Sequence, residues 1–327
     1  MYHRLQKGCF PAGVNPCNLA DANNDHKSMN PLGHIQIQVA VPLATRLGEG
    51  VMWDADHALV RWVDILDHRM YSYHPASGDR VSVVTPAYPS AIVPTADGGY
   101  LLAAKGAIYR LAAQDNQFER ACGIEASVLS NRCNDGKCDP EGRFWIGTMA
   151  MDESAGAGSV YLIDSDLKPD RVIENLTISN GMAWNSSQSL FYHTDTPTGS
   201  IFVYDYEPTS GAIANKRTVI RFADSAGWPD GMTIDAAGRL WVAMWNGWSI
   251  VCVDPVEGRI RTIISLPVAR PTNCTFGGVN LDEMYVTTAT AGLSESDLKN
   301  QPHAGALFVV RGMNATGIPT VNFKNNE

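Results

Sequence analysis

One turn-and-strand unit recurs six times along this chain, and that repetition leaves few folds open to it. Each unit is a polar turn followed by a short run of β-branched and aromatic residues, as in Val60-Arg61-Trp62-Val63, Phe144-Trp145-Ile146 and Leu240-Trp241-Val242. Such residues fit a pleated, half-buried surface. The turn markers are Asp54, Asp97, Asp139, Asn185, Asp235 and Asn280, spaced 42 to 50 residues apart. A second run follows each first one, for example Met70-Tyr71-Ser72-Tyr73 and Ile250-Val251-Cys252-Val253. With one strand before the marker and one after the second run, each unit supplies about four strands, the signature of a propeller blade. A pair of β-sandwiches does not repeat one motif at nearly constant spacing. The fold expected is all-β, a six-bladed β-propeller with blade boundaries near residues 86, 130, 176, 227 and 270. Its ring should close through a strand at Ile35 to Val41 paired with the last blade, because closure removes sheet edges.

The chain has 327 residues, and apolar types make up 45% of them against 18% charged, enough for one large core. Residues 1–33 are polar and broken by Gly, Pro and Asn, with no apolar signal region. They are expected to be a flexible extension, and residues 34–327 a single propeller domain. Asp21, Asn23 and Asp25 mimic the start of a calcium-binding loop, but His26 stands where that loop needs Gly. The net charge of −9 lacks the electrostatic footprint of a nucleic-acid binder. No run approaches the roughly 18 apolar residues of a membrane helix. Seven irregularly spaced cysteines point to free thiols and a cytoplasmic location, with a Cys133–Cys138 pair left open. The expected partner is a small molecule, with no nucleic acid or membrane, and the assembly a monomer or small homo-oligomer.

Equivalent offsets in six equivalent blades occupy equivalent places around the axis. Five residues before each marker stand Glu49, Ile92, Asn134, Asn180, Asp230 and Thr275. This offset falls at the entry to the innermost strand, which lines the central channel. Glu49, Asn180 and Asp230 should therefore converge at one mouth and offer oxygen ligands with a formal charge of −2. Oxygen-only sets suit hard cations. Asn-Gly and Asp-Gly are also ordinary turn dipeptides, but turns alone do not explain their shared phase.

The same residues carry a family resemblance. Gly48-Glu49-Gly50-Val51-Met52-Trp53, the stretch from Asn131 to Met149 around Asn134-Asp135-Gly136-Lys137, Ile178-Ser179-Asn180-Gly181-Met182-Ala183-Trp184, Trp228-Pro229-Asp230-Gly231-Met232 and Asn273-Cys274-Thr275-Phe276-Gly277-Gly278 resemble the gluconolactonase family that includes regucalcin. The likeness runs from about Ile35 to Val310. It implies a six-bladed propeller and metal ligation by Glu49, Asn180 and Asp230, with Asn134 close by. It implies sugar contacts from Arg132, Asn134 and a carboxylate shortly after Gly147-Thr148-Met149. That carboxylate aligns with Asp152, where the family commonly carries Glu. The implied cofactor is one divalent ion, calcium first, with Zn2+, Mn2+, Mg2+ and Fe2+ also open.

A lactone is an internal ester, and a divalent ion can polarise its carbonyl and activate water. Asp230 is the expected general base, and Arg132 offers planar donors to substrate oxygens. Asp135 and Lys137 read better as braces of their loop. Trp245 and Trp248 are candidate exposed walls of a sugar pocket. There is no Gly-x-Ser-x-Gly, His-Glu-x-x-His or Walker pattern. The expected activity is metal-dependent hydrolysis of a sugar-acid lactone. An arylesterase or phosphotriesterase on the same scaffold, separable by a substrate panel, and a non-catalytic calcium-binding propeller, separable by chelation, are the alternatives.

Overall fold

A computed structural model describes residues 34–112 and 117–325. The N-terminal extension expected at residues 1–33 lies outside them, with its calcium-loop mimic. The chain forms six antiparallel four-stranded sheets, a six-bladed β-propeller with 54% strand and 4% helix. The innermost strands of blades one to six are Gly48–Asp54, Ala91–Pro94, Asn131–Cys138, Ser179–Trp184, Trp228–Ile234 and Pro271–Gly277. The blade boundaries fall where the repeat places them. The ring closes as expected: Gln36–Val41 pairs antiparallel with Leu307–Arg311 and becomes the fourth strand of blade six.

The recurring marker acid holds its hairpin together, and in blades one and three it also staples the blade to the next. Asp139 Oδ1 accepts from the Glu141 and Arg143 amides, holding the hairpin turn. Its Oδ2 accepts from Arg143 Nε, from Trp145 Nε1 and from the Tyr206 hydroxyl of the next blade. Asp235 holds Arg239 and Trp241 in the same way, and Asp54 takes Arg61 Nε and the Tyr100 hydroxyl of blade two. A buried carboxylate is tolerated because each lone pair is met. Trp62, Trp145 and Trp241 fill the space between sheets and are almost wholly buried.

After the last blade strand the chain does not leave the ring. It crosses the far mouth of the channel as a strap. Ala236 N donates to Thr316 O, Gly317 N to Leu281 O and Thr320 Oγ1 to Trp53 O. Phe323 exchanges backbone bonds with Pro94 and Ala96, and Lys324 N donates to Gly142 O. These bonds reach blades five, six, one, two and three in that order. Cys122, Cys133, Cys138, Cys252 and Cys274 are free thiols, so Cys133 and Cys138 do not pair.

Candidate active site

Early residues of the inner strands converge at one end of the channel, because these strands share a direction and a common irregularity. The strand register shifts at Glu49/Met52 in blade one, Cys133/Gly136 in blade three, Asn180/Met182 in blade four, Pro229/Met232 in blade five and Pro271/Asn273 in blade six. Blade two, which carries Ile92, pairs with regular register. A bulge re-aims the side chain beside it, so each polar residue is turned toward the axis. The glycines that follow therefore lie in strands, not turns. A Cβ at Gly181 would meet Asp230 O at 2.7 Å, and one at Gly231 would meet the Asn273 amide at 2.3 Å. Only Gly lets the inner strands approach this closely.

Glu49, Asn180 and Asp230 are 6, 4 and 6% exposed. Glu49 Oε2 accepts from Gly50 N at 3.1 Å and from Asn273 Nδ2 at 3.4 Å. Asn180 Nδ2 donates to Thr196 Oγ1, which donates in turn to Pro229 O. That chain aims the amide and leaves Asn180 Oδ1 buried without a partner, as is Asp230 Oδ1. Arg132 NH1 donates to Asn134 Oδ1 at 2.7 Å, and Asn134 Nδ2 to Ser179 O at 2.8 Å. Asn134 thus links blade three to blade four.

The site holds more negative charge than its protein partners neutralise. Burial, then the charge of Asp135, pushes Glu49 up to about 8. Burial, then Glu49 and Asp135, pushes Asp230 well above the carboxylate range, with an Asn180 hydrogen bond and Arg132 opposing. Asp135 is itself raised by burial. Carboxylates in one dry volume cannot all ionise without a compensating cation. Among the described residues no three His, Cys, Asp or Glu side chains form a ligand group alone. A metal here needs the amide oxygen of Asn180 beside Glu49 and Asp230. Two orphaned acceptor oxygens and uncompensated buried carboxylates fit a hard divalent cation.

Other expected residues stand differently. Asp152 is exposed, and its Oδ1 accepts from Ser154 N and Oγ at 3.1 and 2.7 Å. The buried carboxylate of that loop is its neighbour Glu153, held at φ 61°. Trp245 is buried, with the Arg270 guanidinium 4.9 Å from its ring centroid, so only Trp248 is exposed. Asn273 belongs to the cluster, and Thr275 instead lines the far chamber. The marker Asn280 lies two residues further past the inner strand than Asp235 does in blade five, so counting five back from it stops two residues short of Asn273, at Thr275. Asp135, expected as a loop brace, is buried beside the cluster and takes a hydrogen bond from Asn273 Nδ2 at 3.2 Å.

Residues 47–290 match the family model described as SMP-30/Gluconolactonase/LRE-like region. The chain is 36% identical over 262 residues to the Bacillus subtilis (strain 168) protein YvrE, named for a sugar lactone lactonase, covering 80% of this chain and 90% of that one. It is 32% identical over 298 residues to regucalcin of Homo sapiens, covering 89% and 99%. Among solved structures, a luciferin-regenerating enzyme superposes with a TM-score of 0.83 at 29% identity, covering 89% of this chain and 99% of that one. A calcium-binding regucalcin from Agrobacterium tumefaciens str. C58 gives 0.84 at 24%, covering 87% and 96%, a likeness of fold.

Proposed function

The chain belongs to the SMP-30/gluconolactonase/LRE-like family and is a hydrolase acting on ester bonds, and from that membership we propose that it opens a sugar-acid lactone to the free acid with the help of one divalent metal. The observation that carries this is the pair of orphaned oxygens, Asn180 Oδ1 and Asp230 Oδ1, buried beside Glu49 at one channel mouth.

Glu49, Asn180 and Asp230 are the residues that would hold the ion, with Asn134 nearby. When bound, a divalent cation offsets their charge and supplies Lewis-acid polarisation of a carbonyl oxygen; calcium suits an all-oxygen set best, and Zn2+, Mn2+, Mg2+ and Fe2+ remain candidates. Asp230 is the general base: its carboxylate takes the proton of the attacking water. Arg132 and Asn134 orient the substrate, Arg132 with donors fixed in plane by its bond to Asn134 Oδ1. The exposed Asp152 is the weaker candidate for a sugar contact, and the buried Glu153 of the same turn the stronger. Burial of the cluster keeps bulk water from competing for these groups.

The free thiols support a reducing, cytoplasmic setting. No helix among the described residues is long and apolar enough to cross a membrane.

Acid release from a panel of pure aldonolactones, followed in a pH-stat with defined metals and after chelation, tests the proposal. Turnover that needs metal and prefers polyhydroxylated lactones is expected. Faster hydrolysis of aryl esters, or turnover untouched by chelation, would overturn it.

A further inference from the structure

A cavity runs from beside Asp135 and Asn273, at the edge of the carboxylate cluster, toward the opposite end of the channel from Glu49 and Asp230. Its volume is about 440 Å³, within the roughly 300–1,000 Å³ range of small-molecule sites. Late residues of the inner strands form its sides, with Met52, Val93, Trp184 and Ile234 among them. Its inner end is Asp135, Lys137 and Asn273, and its roof is the strap segment 318–321. The hydrogen bonds that tie the strap reach blades five, six, one, two and three, blade one through the Thr320 hydroxyl. Blade four contributes a rim instead, the exposed Ser186 and Gln188. The chamber therefore opens beside the blade-four turn.

We infer that this chamber is a second ligand site, taking an uncharged amphiphile with one hydrogen-bonding end. Two features set that chemistry. The inner end carries one acid and one base together, and Lys137 Nζ already donates to Met232 O at 2.8 Å. The opposite charges of Asp135 and Lys137 act on each other and leave little net field, so an ionic ligand would lose its hydration without recovering it. The sides and roof are largely apolar, which disfavours a polyol such as the proposed lactone and favours an aliphatic or aromatic body. Asp135 and Asn273 give such a ligand a polar anchor at one end. On the wall, Trp184 is buried and its Nε1 has no partner.

This site does not rest on the proposed lactonase reaction, because binding is read directly. The probe is N-phenyl-1-naphthylamine, a neutral aromatic amine with one N–H, titrated by fluorescence into the full-length protein with metal and after chelation. A saturable one-to-one signal is expected in both. Thr275→Trp fills the chamber from a half-buried lining position and should weaken binding by about tenfold or more. Where circular dichroism shows that variant to be misfolded, Ile318→Arg is read instead. It puts a charge into the roof from an exposed position and should weaken binding similarly. The anionic relative 8-anilinonaphthalene-1-sulfonate should bind at least about tenfold more weakly than the neutral probe. No saturable binding, equal binding by the folded variants, or equal binding of the two probes would each overturn the inference.

Discussion

Asn273 Nδ2 stands 3.4 Å from Glu49 Oε2, although the two residues are 224 positions apart in the chain. The same nitrogen lies 3.2 Å from Asp135 Oδ1, so one amide serves two buried carboxylates from different blades. Its hydrogen bond opposes the rise that burial and Asp135 impose on Glu49. Asn273→Leu keeps similar volume and removes the donor. A hydrogen bond to a charged group contributes about 1.5–3 kcal/mol, so metal affinity measured by calorimetry should fall by about ten- to a hundredfold. An unchanged affinity in a folded variant would mean that Asn273 merely packs between the strands.

The two roles proposed for Asp230, metal ligation and proton transfer, can be separated by mutation. Asp230→Asn keeps an oxygen that could ligate and loses the basic carboxylate, and Glu49→Gln changes the charge equally at the neighbouring proposed ligand. Loss of a general base costs on the order of 10²–10⁴-fold. With metal content measured and saturated in both, Asp230→Asn should lose turnover by that factor and Glu49→Gln by much less. Equal losses that recover with excess metal would leave Asp230 as a ligand alone.

The blades were legible because the marker acids are structural: Asp54, Asp139 and Asp235 hold turn, tryptophan or tyrosine together in every blade where they occur. The phase of Glu49, Asn134, Asn180 and Asp230 was legible because the same bulge recurs at the same depth. Blade six breaks that count, since its marker sits further from its inner strand, and Asn273 was passed over for Thr275. Asp135 was hidden for another reason. Its side chain belongs to the channel through a bond from another blade, and local pattern carries no trace of that. The strap was equally silent, since residues 312–325 have neither repeat nor strand alternation and their place depends on what they cover.

Adjacent carboxylates in the loop after Gly147-Thr148-Met149 make opposite predictions. Asp152 is exposed and engaged by Ser154, whereas Glu153 is buried in a left-handed backbone conformation that non-glycine residues adopt at some cost. Glu153→Gln should raise KM for a sugar lactone by about tenfold, the scale of a lost hydrogen bond to a charged group. Asp152→Asn should change it by less than about threefold, as a solvent-exposed group would. The reverse ranking would restore Asp152 as the sugar contact.

Stability of the metal-free protein should fall as pH rises. Glu49 moves from an ordinary 4.5 up to about 8 in the folded chain, through burial and then Asp135, and Asp230 moves upward as well. A carboxylate with a raised folded pKa binds its proton more tightly when folded than when unfolded. Its stabilising contribution is complete below the unfolded value and is lost as pH climbs to the folded value. Between about pH 4.5 and 8, then, the Glu49 contribution should decline. Melting temperatures after chelation, compared between wild type and Glu49→Gln across that window, isolate it. The wild type should lose more on going from pH 5.5 to 8.5, and added metal should restore more at the alkaline end. Parallel curves for the two proteins would show that Glu49 ionises in the folded state at its ordinary pH.

The strap should hold the ring closed at the far mouth, and Phe323 is its anchor. The side chain is fully buried against Val93, Cys138 and Phe144. Its N–H donates to Pro94 O at 2.7 Å, and its carbonyl accepts from Ala96 N at 2.9 Å. Phe323→Ala leaves those backbone bonds possible and removes the ring. A buried Phe-to-Ala truncation costs about 3–5 kcal/mol when the cavity cannot collapse. Here the surrounding inner strands are pinned by the propeller, which favours the upper part of that range. Urea unfolding should show a lower midpoint with an unchanged slope, the mark of lost stability without a change in the surface exposed. Lactone turnover in the absence of urea should stay near wild type, because the carboxylate cluster lies at the other end of the channel. A cost below about 1 kcal/mol, the scale of a surface substitution, would show the strap to be a passenger on a ring that closes through Gln36–Val41 alone.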